Sequence, residues 1–313
     1  MCNTINNNKL KRQISFVALF FLIGINVFSA QEINKTNLKE NSTQNQKDLF
    51  RNKVKVVAHR GDWRNAPENS LAAIQNCIVM GVDMVEIDLR KTKDGTIILM
   101  HDKTLDRTST GKGLIKELDK KSLDSLRLKN GYGMPTTDKI PTLLEALKLC
   151  KNKILVFLDK NYECLPEAVK IVKELKMENQ VFYEGKNTYS EMQAKFGPIM
   201  EEINYMPRVS LKSSDDAYLT PFLKQKKESI FIFSFDEKEI NPMTAIIKNI
   251  KSSQGKIMLT TLWDSTAGGY TDDLALADPE ANWGKVIALG ADLICTDRPA
   301  SLIHYLKEKG FHD

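Results

Sequence analysis

Residues 56–70 read VVAHRGDWRNAPENS. A short apolar run ends in His59-Arg60-Gly61, and a polar loop leads on to Pro67-Glu68-Asn69-Ser70. An imidazole exchanges protons near neutral pH, and a guanidinium matches the oxygens of a phosphate. A second run, DMVEIDLR, carries Glu86, Asp88 and Arg90 at a spacing of two. On a strand that spacing puts all three on one face, with Val85, Ile87 and Leu89 on the other. Two carboxylates on a buried face are costly unless paired or bound to a cation. Hard oxygen ligands suit Ca²⁺ or Mg²⁺ better than zinc. On an edge strand the same pattern would be a solvated polar face. A third run, TIILMHD, ends in His101-Asp102. Two histidines at strand ends can divide two proton transfers: one deprotonates an attacking oxygen, the other protonates a leaving oxygen. Arg60 and a cation would stabilise charge on phosphoryl oxygens. The chemistry these residues suit is metal-assisted hydrolysis of a phosphate ester.

Such residues need elements that bring them together. Beyond residue 53 apolar strand-like runs alternate with helix-like segments. The runs are VKVVAH, DMVEIDLR, TIILMHD, KILVFLDK, QVFYEG, a weaker IMEEINYMPRV, SIFIFSF, KIMLTTLW and ADLICTD. The first helical segment, ENSLAAIQNCIVMG, has Leu71, Ile74 and Ile78 on one face, with Asn69 or Ser70 as its cap. Eight or nine strands alternating with helices predict an α/β fold, a (β/α)8 TIM barrel, over residues 53–313. A doubly wound open sheet is the alternative, but no glycine-rich phosphate fingerprint follows the first strand. In a barrel, chemistry sits where strands end, which is where His59 and His101 fall.

Residues 1–30 read as a signal peptide: KLKR precedes the apolar ISFVALFFLIGINVF, and Ser29 and Ala30 follow. Residues 31–52 are a polar, flexible lead-in. An exported protein, periplasmic or extracellular, is expected. Of the formal charge of +5, three charges (Lys9, Lys11, Arg12) lie in the leader, so bulk charge does not point to nucleic acid. No obligatory protein partner is evident. Cys77, Cys150, Cys164 and Cys295 show no metal spacing. Cys150 and Cys164 flank one strand and stand far beyond disulfide reach, so all four are expected to be buried thiols.

The stretch HRG…PENS…MVEIDLRKTKDGTIILMHDKTLDRTSTGKG, residues 59–113, resembles the glycerophosphodiester phosphodiesterase family. Weaker resemblance continues through IPTLLEAL and ICTDRPASLIHYL. The resemblance implies a (β/α)8 barrel of the PLC-like phosphodiesterase type, and a small-molecule phosphodiester substrate cut to glycerol 3-phosphate and an alcohol. It further implies a divalent metal, Ca²⁺ or Mg²⁺. Carried over, His59 and His101 would be the acid–base pair, and Glu86 and Asp88 metal ligands. Arg60 and Lys160 would bind phosphate, and Glu68 would support its neighbours or else cap a helix.

Two stretches depart from the family. Where the family has Ile-Glu-Ile-Lys, this chain reads VFLDK. Lys160 matches the lysine, but Leu158 stands at the glutamate. Asp159 comes one residue late, which in a regular strand turns it to the opposite face unless a bulge restores it. Asp159 is nonetheless the expected third ligand, ahead of Glu163. The second departure follows Trp263, which fits a family tryptophan and is expected to contact substrate. It is a long loop with Asp264, Asp272, Asp273 and Asp278, which suits either a cationic leaving group or a plain solvated loop. Asp297 is expected to close a strand and cap the next helix. Two other readings stay open: a related barrel that releases a cyclic phosphate, and a non-catalytic binding protein.

Overall fold

The computed structural model describes residues 53–224, 229–266 and 268–313. The expected signal peptide and lead-in lie outside the described residues. Nine strands form: β1 (Lys55–Ala58), β2 (Met84–Lys91), β3 (Ile97–Leu99), β4 (Leu155–Asp159), β5 (Val181–Gly185), β6 (Asn204–Val209), β7 (Ile230–Phe233), β8 (Lys256–Thr260) and β9 (Leu293–Thr296). Eight of them run parallel in the order β1, β2, β4, β5, β6, β7, β8, β9, and β9 pairs back with β1. The predicted (β/α)8 barrel is therefore the fold. The third run, β3, is not a stave. β2 is eight residues long and outruns its neighbours, and β3 folds back antiparallel on its projecting end, pairing Leu89 with Leu99. His101 thus leaves an arm above the barrel, not a barrel strand as expected.

Helices Leu71–Met80, Leu143–Cys150, Leu165–Glu174, Tyr189–Phe196, Asp216–Leu223, Ile240–Ser252 and Pro299–Glu308 are the longer elements around the ring. Their termini follow from local chemistry. Ser70 accepts the Ala73 amide and starts the first of them, and Gly81 ends it in a left-handed conformation. Thr142 and Glu145 form a reciprocal capping box. Two apolar layers result. Outward strand residues such as Val85, Ile87, Val156, Leu158, Phe231 and Ile294 pack on the helices. Inward residues Val57, Met84, Phe157, Phe182, Met206, Ile232, Met258 and Cys295 fill the barrel. A third small core, including Met100, Leu105, Ile115 and Leu128, lies under the segment that follows β3. All four described cysteines are free and buried, as expected.

Candidate active site

Side chains alternate along a strand, so the residue two past each inward apolar position faces the mouth of the barrel. Beyond Val57 stands His59, and beyond Met84 stand Glu86 and then Asp88. Asp159, Glu184, Arg208, Ser234, Thr260 and Asp297 follow in the same way around the ring. One rule thus gathers an imidazole, carboxylates and a guanidinium at the C-terminal ends of the strands, where barrel chemistry is found.

Glu86, Asp88 and Asp159 come together, with one oxygen from each lying within 4.8 Å of the others. Asp159 needs no bulge. Glu86 pairs in register with Phe157 and Asp88 with Asp159, so Asp159 shares the inner face while Leu158 packs outward. The expected face reversal is therefore corrected: Leu158 occupies an outward position, where a carboxylate could not reach the other two. Glu163 is exposed on the turn beyond and stays outside the cluster. Burial, with Asp88 and Asp159 beside it, pushes the Glu86 carboxyl well above its usual range. For Asp159, burial works in the same direction, but Lys160 and Arg208 hold it below its usual value. Asp88 Oδ1 is buried with no hydrogen-bond partner. Three crowded carboxylates, one of them with an oxygen that no hydrogen bond satisfies and only the Lys160 ammonium faces, at 3.5 Å, are a donor set suited to a hard cation, so the cluster can hold a metal ion.

Around this cluster the basic groups are held in place. Arg60 has φ 56°, a left-handed conformation that turns its amide onto Glu86 Oε2 at 2.7 Å. Its Nη1 donates to Glu68 at 3.1 Å, and its Nε lies 3.7 Å from Asp88. Gly61 follows at φ 76°; a Cβ there would stand 2.8 Å from Ala73 Cβ, so only glycine lets the first helix approach this closely. Asn69 (φ 59°) donates to Asp88 Oδ2 at 2.8 Å and accepts the Asp88 amide at 2.9 Å, leaving the helix cap to Ser70. Lys160 (φ 55°) bridges Asp159 at 3.2 Å and Asp88 at 3.5 Å. Three non-glycine residues with positive φ at one site is local strain, on the order of 1 kcal/mol each.

Each histidine is oriented by its own aspartate. His59 Nδ1 lies 2.8 Å from Asp297 Oδ1, which also accepts the Trp63 indole N–H at 2.6 Å. A carboxylate only accepts, so His59 carries its proton on Nδ1. Arg60 Nε–H donates to Nε2 at 3.2 Å, consistent with that tautomer. Asp297 therefore orients His59 and does not cap the next helix as expected. Burial raises the Asp297 carboxyl, but bonds from His59 and Trp63 prevail and hold it low. His101 Nδ1 lies 2.7 Å from Asp102 Oδ1. Arg107 donates to Asp102 at 2.8 and 2.9 Å and to Glu68 at 2.7 and 2.9 Å. Glu68, for which a helix cap was the other expectation, ties Arg60 to Arg107. Arg90 donates to the carbonyls of His101 and Asp102 and so fixes the arm to β2. Burial lowers the His101 pKa, against the pull of Asp88 and Asp102.

Trp263 is 53% exposed and meets His59 edge to face at 5.8 Å. Three of the four acids in the loop beyond it have partners within the protein. Asp272 is buried, Asp273 pairs with Arg298 at 2.8 Å, and Asp278 accepts the Ala281 amide at 3.0 Å. Asp264 is exposed, and Asp273 is exposed as well as paired. Sequence reasoning missed Asn69, Arg107, Asp102, Glu184 and Arg208. The last two form a buried ion pair on the β5–β6 side, where Arg208 also donates to Ser234 at 2.7 Å. The inward alternation would have found both, once Phe182 and Met206 were known to face the barrel.

Comparison with known proteins places this geometry among enzymes. The model of the glycerophosphoryl diester phosphodiesterase family matches residues 59–301. A glycerophosphodiester phosphodiesterase from Caldanaerobacter subterraneus is 28% identical over 269 residues, covering 82% of this chain and all of the relative. Glycerophosphodiester phosphodiesterase 1 of Bos taurus is 41% identical over 116 residues, 35% of this chain and 34% of the relative. Among solved structures, a glycerophosphoryl diester phosphodiesterase from Parabacteroides distasonis superposes with a TM-score of 0.68 at 23% identity, covering 85% of this chain and 93% of that one. A phosphodiesterase from Oleispira antarctica, in complex with the product sn-glycerol-3-phosphate, has a TM-score of 0.60 at 22% identity, over 83% and 99% of the two chains. At these identities the structural likeness speaks for the fold.

Proposed function

The chain belongs to the glycerophosphoryl diester phosphodiesterase family and is a glycerophosphodiester phosphodiesterase, and we propose that it hydrolyses its substrate by His59/His101 acid–base catalysis beside a divalent cation, Ca²⁺ or Mg²⁺. The observation that carries this reading is the meeting of Glu86, Asp88 and Asp159 within 4.8 Å, between two histidines each braced by an aspartate. Glu86, Asp88 and Asp159 would hold the cation, which supplies positive charge to the phosphoryl oxygens.

The chain's own residues do the rest. Arg60 and Lys160 bind the phosphate, and Glu68 keeps Arg60 turned toward it. Water adds to phosphorus and the bond to the alcohol oxygen breaks. One histidine takes the proton from water and the other gives a proton to the departing oxygen, so glycerol 3-phosphate and an alcohol leave. Trp263, exposed beside His59, forms a wall of the mouth against which substrate packs. We also read the leader as an export signal, placing the enzyme in the periplasm or outside the cell, where a small diester is its partner. N-terminal sequencing of the exported protein tests that reading, and an intact residue 1 would end it.

The function is tested with residues 31–313 and glycerophosphocholine, after chelation and again with Ca²⁺ or Mg²⁺ restored. The expected result is cation-dependent glycerol 3-phosphate, lost by about 10²-fold or more in His59→Ala and in His101→Ala. Release that survives chelation would remove the cation from the reading, and a cyclic phosphate product would replace hydrolysis by internal attack.

A further inference from the structure

Asp272 lies between β8 and β9, one of the four acids of the long loop, and is 2% exposed. Its Oδ1 accepts from Thr261 Oγ1 at 2.6 Å, Thr296 Oγ1 at 2.8 Å and Trp283 Nε1 at 2.9 Å. Its Oδ2 accepts the Asp297 amide at 2.7 Å. Its own amide donates to the Thr261 carbonyl at 2.8 Å, so the loop is fixed to the end of β8 as well. A buried carboxylate is tolerated only when donors replace its water, and here four do. Burial raises its pKa and those four donors oppose the rise. Thr296 ends β9, and Asp297, the next residue, is the one that holds His59 Nδ1.

From these contacts we propose that Asp272 is a positioning residue for His59: it fixes the backbone of Asp297 so that the Asp297 carboxylate meets Nδ1 and turns Nε2 toward the substrate. The inference rests on the catalytic role assigned to His59 above. The pin acts on the main chain, where the Asp297 side chain cannot correct for it. Asp297 Oδ1 serves His59 and Trp63 together, at 2.8 and 2.6 Å, which leaves little freedom for compensating rotation. The loop thus reaches the chemistry from behind, through β9, with its acid buried.

Asp272→Asn isolates this role. The Trp283 and Asp297 N–H donors sit on different oxygens, and neither can become an acceptor. An amide offers a single oxygen, so one of the two must lose its bond. The variant is expected to lower kcat for glycerophosphocholine by about tenfold to a hundredfold, with KM within about twofold, as misplacement of a catalytic group does. Asp273→Asn, the neighbouring loop acid, is expected to leave kcat within about twofold. Proton NMR gives a readout independent of turnover. The hydrogen-bonded Nδ1 proton of His59, assigned by its absence in His59→Gln, should shift or broaden in Asp272→Asn and not in Asp273→Asn. Should Asp272→Asn fail to fold, Trp283→Phe removes one donor, and the same resonance should shift with a kcat loss of about threefold. An unaltered resonance with kcat near wild type, whatever the loss of thermal stability, overturns the inference and leaves Asp272 a loop anchor. If instead His59→Gln keeps full turnover, the acid–base reading fails, and the resonance alone decides whether Asp272 positions His59.

Discussion

At the N-terminal ends of the barrel strands, Asp83 accepts the Val56 amide and His312 Nε2, each at 2.8 Å, and pairs with Lys55 at 3.0 Å. Gln180 donates to the carbonyls of Cys150 and Ile154, Asn204 to those of Glu178 and Val181, and Asp292 accepts the Ile257 amide. At the C-terminal ends, Glu86, Asp88 and Asp159 crowd within 4.8 Å, one buried Asp88 oxygen makes no hydrogen bond, and Arg60, Asn69 and Lys160 sit at positive φ. The same eight strands supply both rims. Each polar group of the lower rim closes on a neighbour and holds the ring together. The upper rim keeps like charges and strained backbone side by side, an arrangement that serves a ligand better than it serves stability.

The sharpest way to break this contrast is Asp88→Asn. It should cost about a thousandfold in turnover, because charge stabilisation at phosphorus is lost, while the melting temperature stays level or rises as repulsion is relieved. A fall in both would mean that the cluster is structural. Glu184→Ala asks whether the upper rim is uniformly poor in stability. Its pair with Arg208 is matched and buried, so breaking it should cost about 3 kcal/mol by urea titration. A cost near zero would extend the unstable rim to the β5–β6 side. Adding Ca²⁺ or Mg²⁺ at about a hundred times its Kd should stabilise the wild type by about 2.7 kcal/mol. That gain should shrink in Asp159→Asn; an equal gain in both would place the cation elsewhere.

The smallest effect is expected at the lower rim. His312→Gln should cost about 1 kcal/mol and leave turnover unchanged. The hydrogen bond to Asp83 raises the His312 pKa above 6.5, so its contribution is full below 6.5 and fades as pH rises through the raised value. Burial opposes ionisation of Asp83, but His312 and Lys55 hold it below 3.8, so its contribution is full above 3.8 and is lost as pH falls through the lowered value. The clamp is therefore complete between about pH 3.8 and 6.5. The urea-midpoint gap between wild type and His312→Gln should narrow between about pH 6 and about pH 9. A gap that widens would assign the stabilisation to packing of the ring.

His59, Arg60, Glu86, Asp88 and His101 were legible because they ride on short local patterns: a strand end, an alternation of two, a second strand end. The barrel was legible because its strands and helices alternate in period from residue 53 onward. Asp159 was read with the wrong face, because a single strand does not reveal which of its two faces looks inward. Registry with β2 decides that, by setting Asp159 opposite Asp88. Asp297 and Asp272 were read as a cap and a loop acid, since their partners His59, Trp63 and Thr261 are remote or out of pattern in sequence.

The sequence by itself determined the residue types, the alternation that puts them on shared faces, and the strand ends where they gather. Only the tertiary structure decided which carboxylates meet, which aspartate orients which histidine, and that β3 is an arm and not a stave. Local patterning fixes which side of an element is apolar. Closure of the ring and the registry between strands, which join residues as far apart as His59 and Asp297, fix what that side faces.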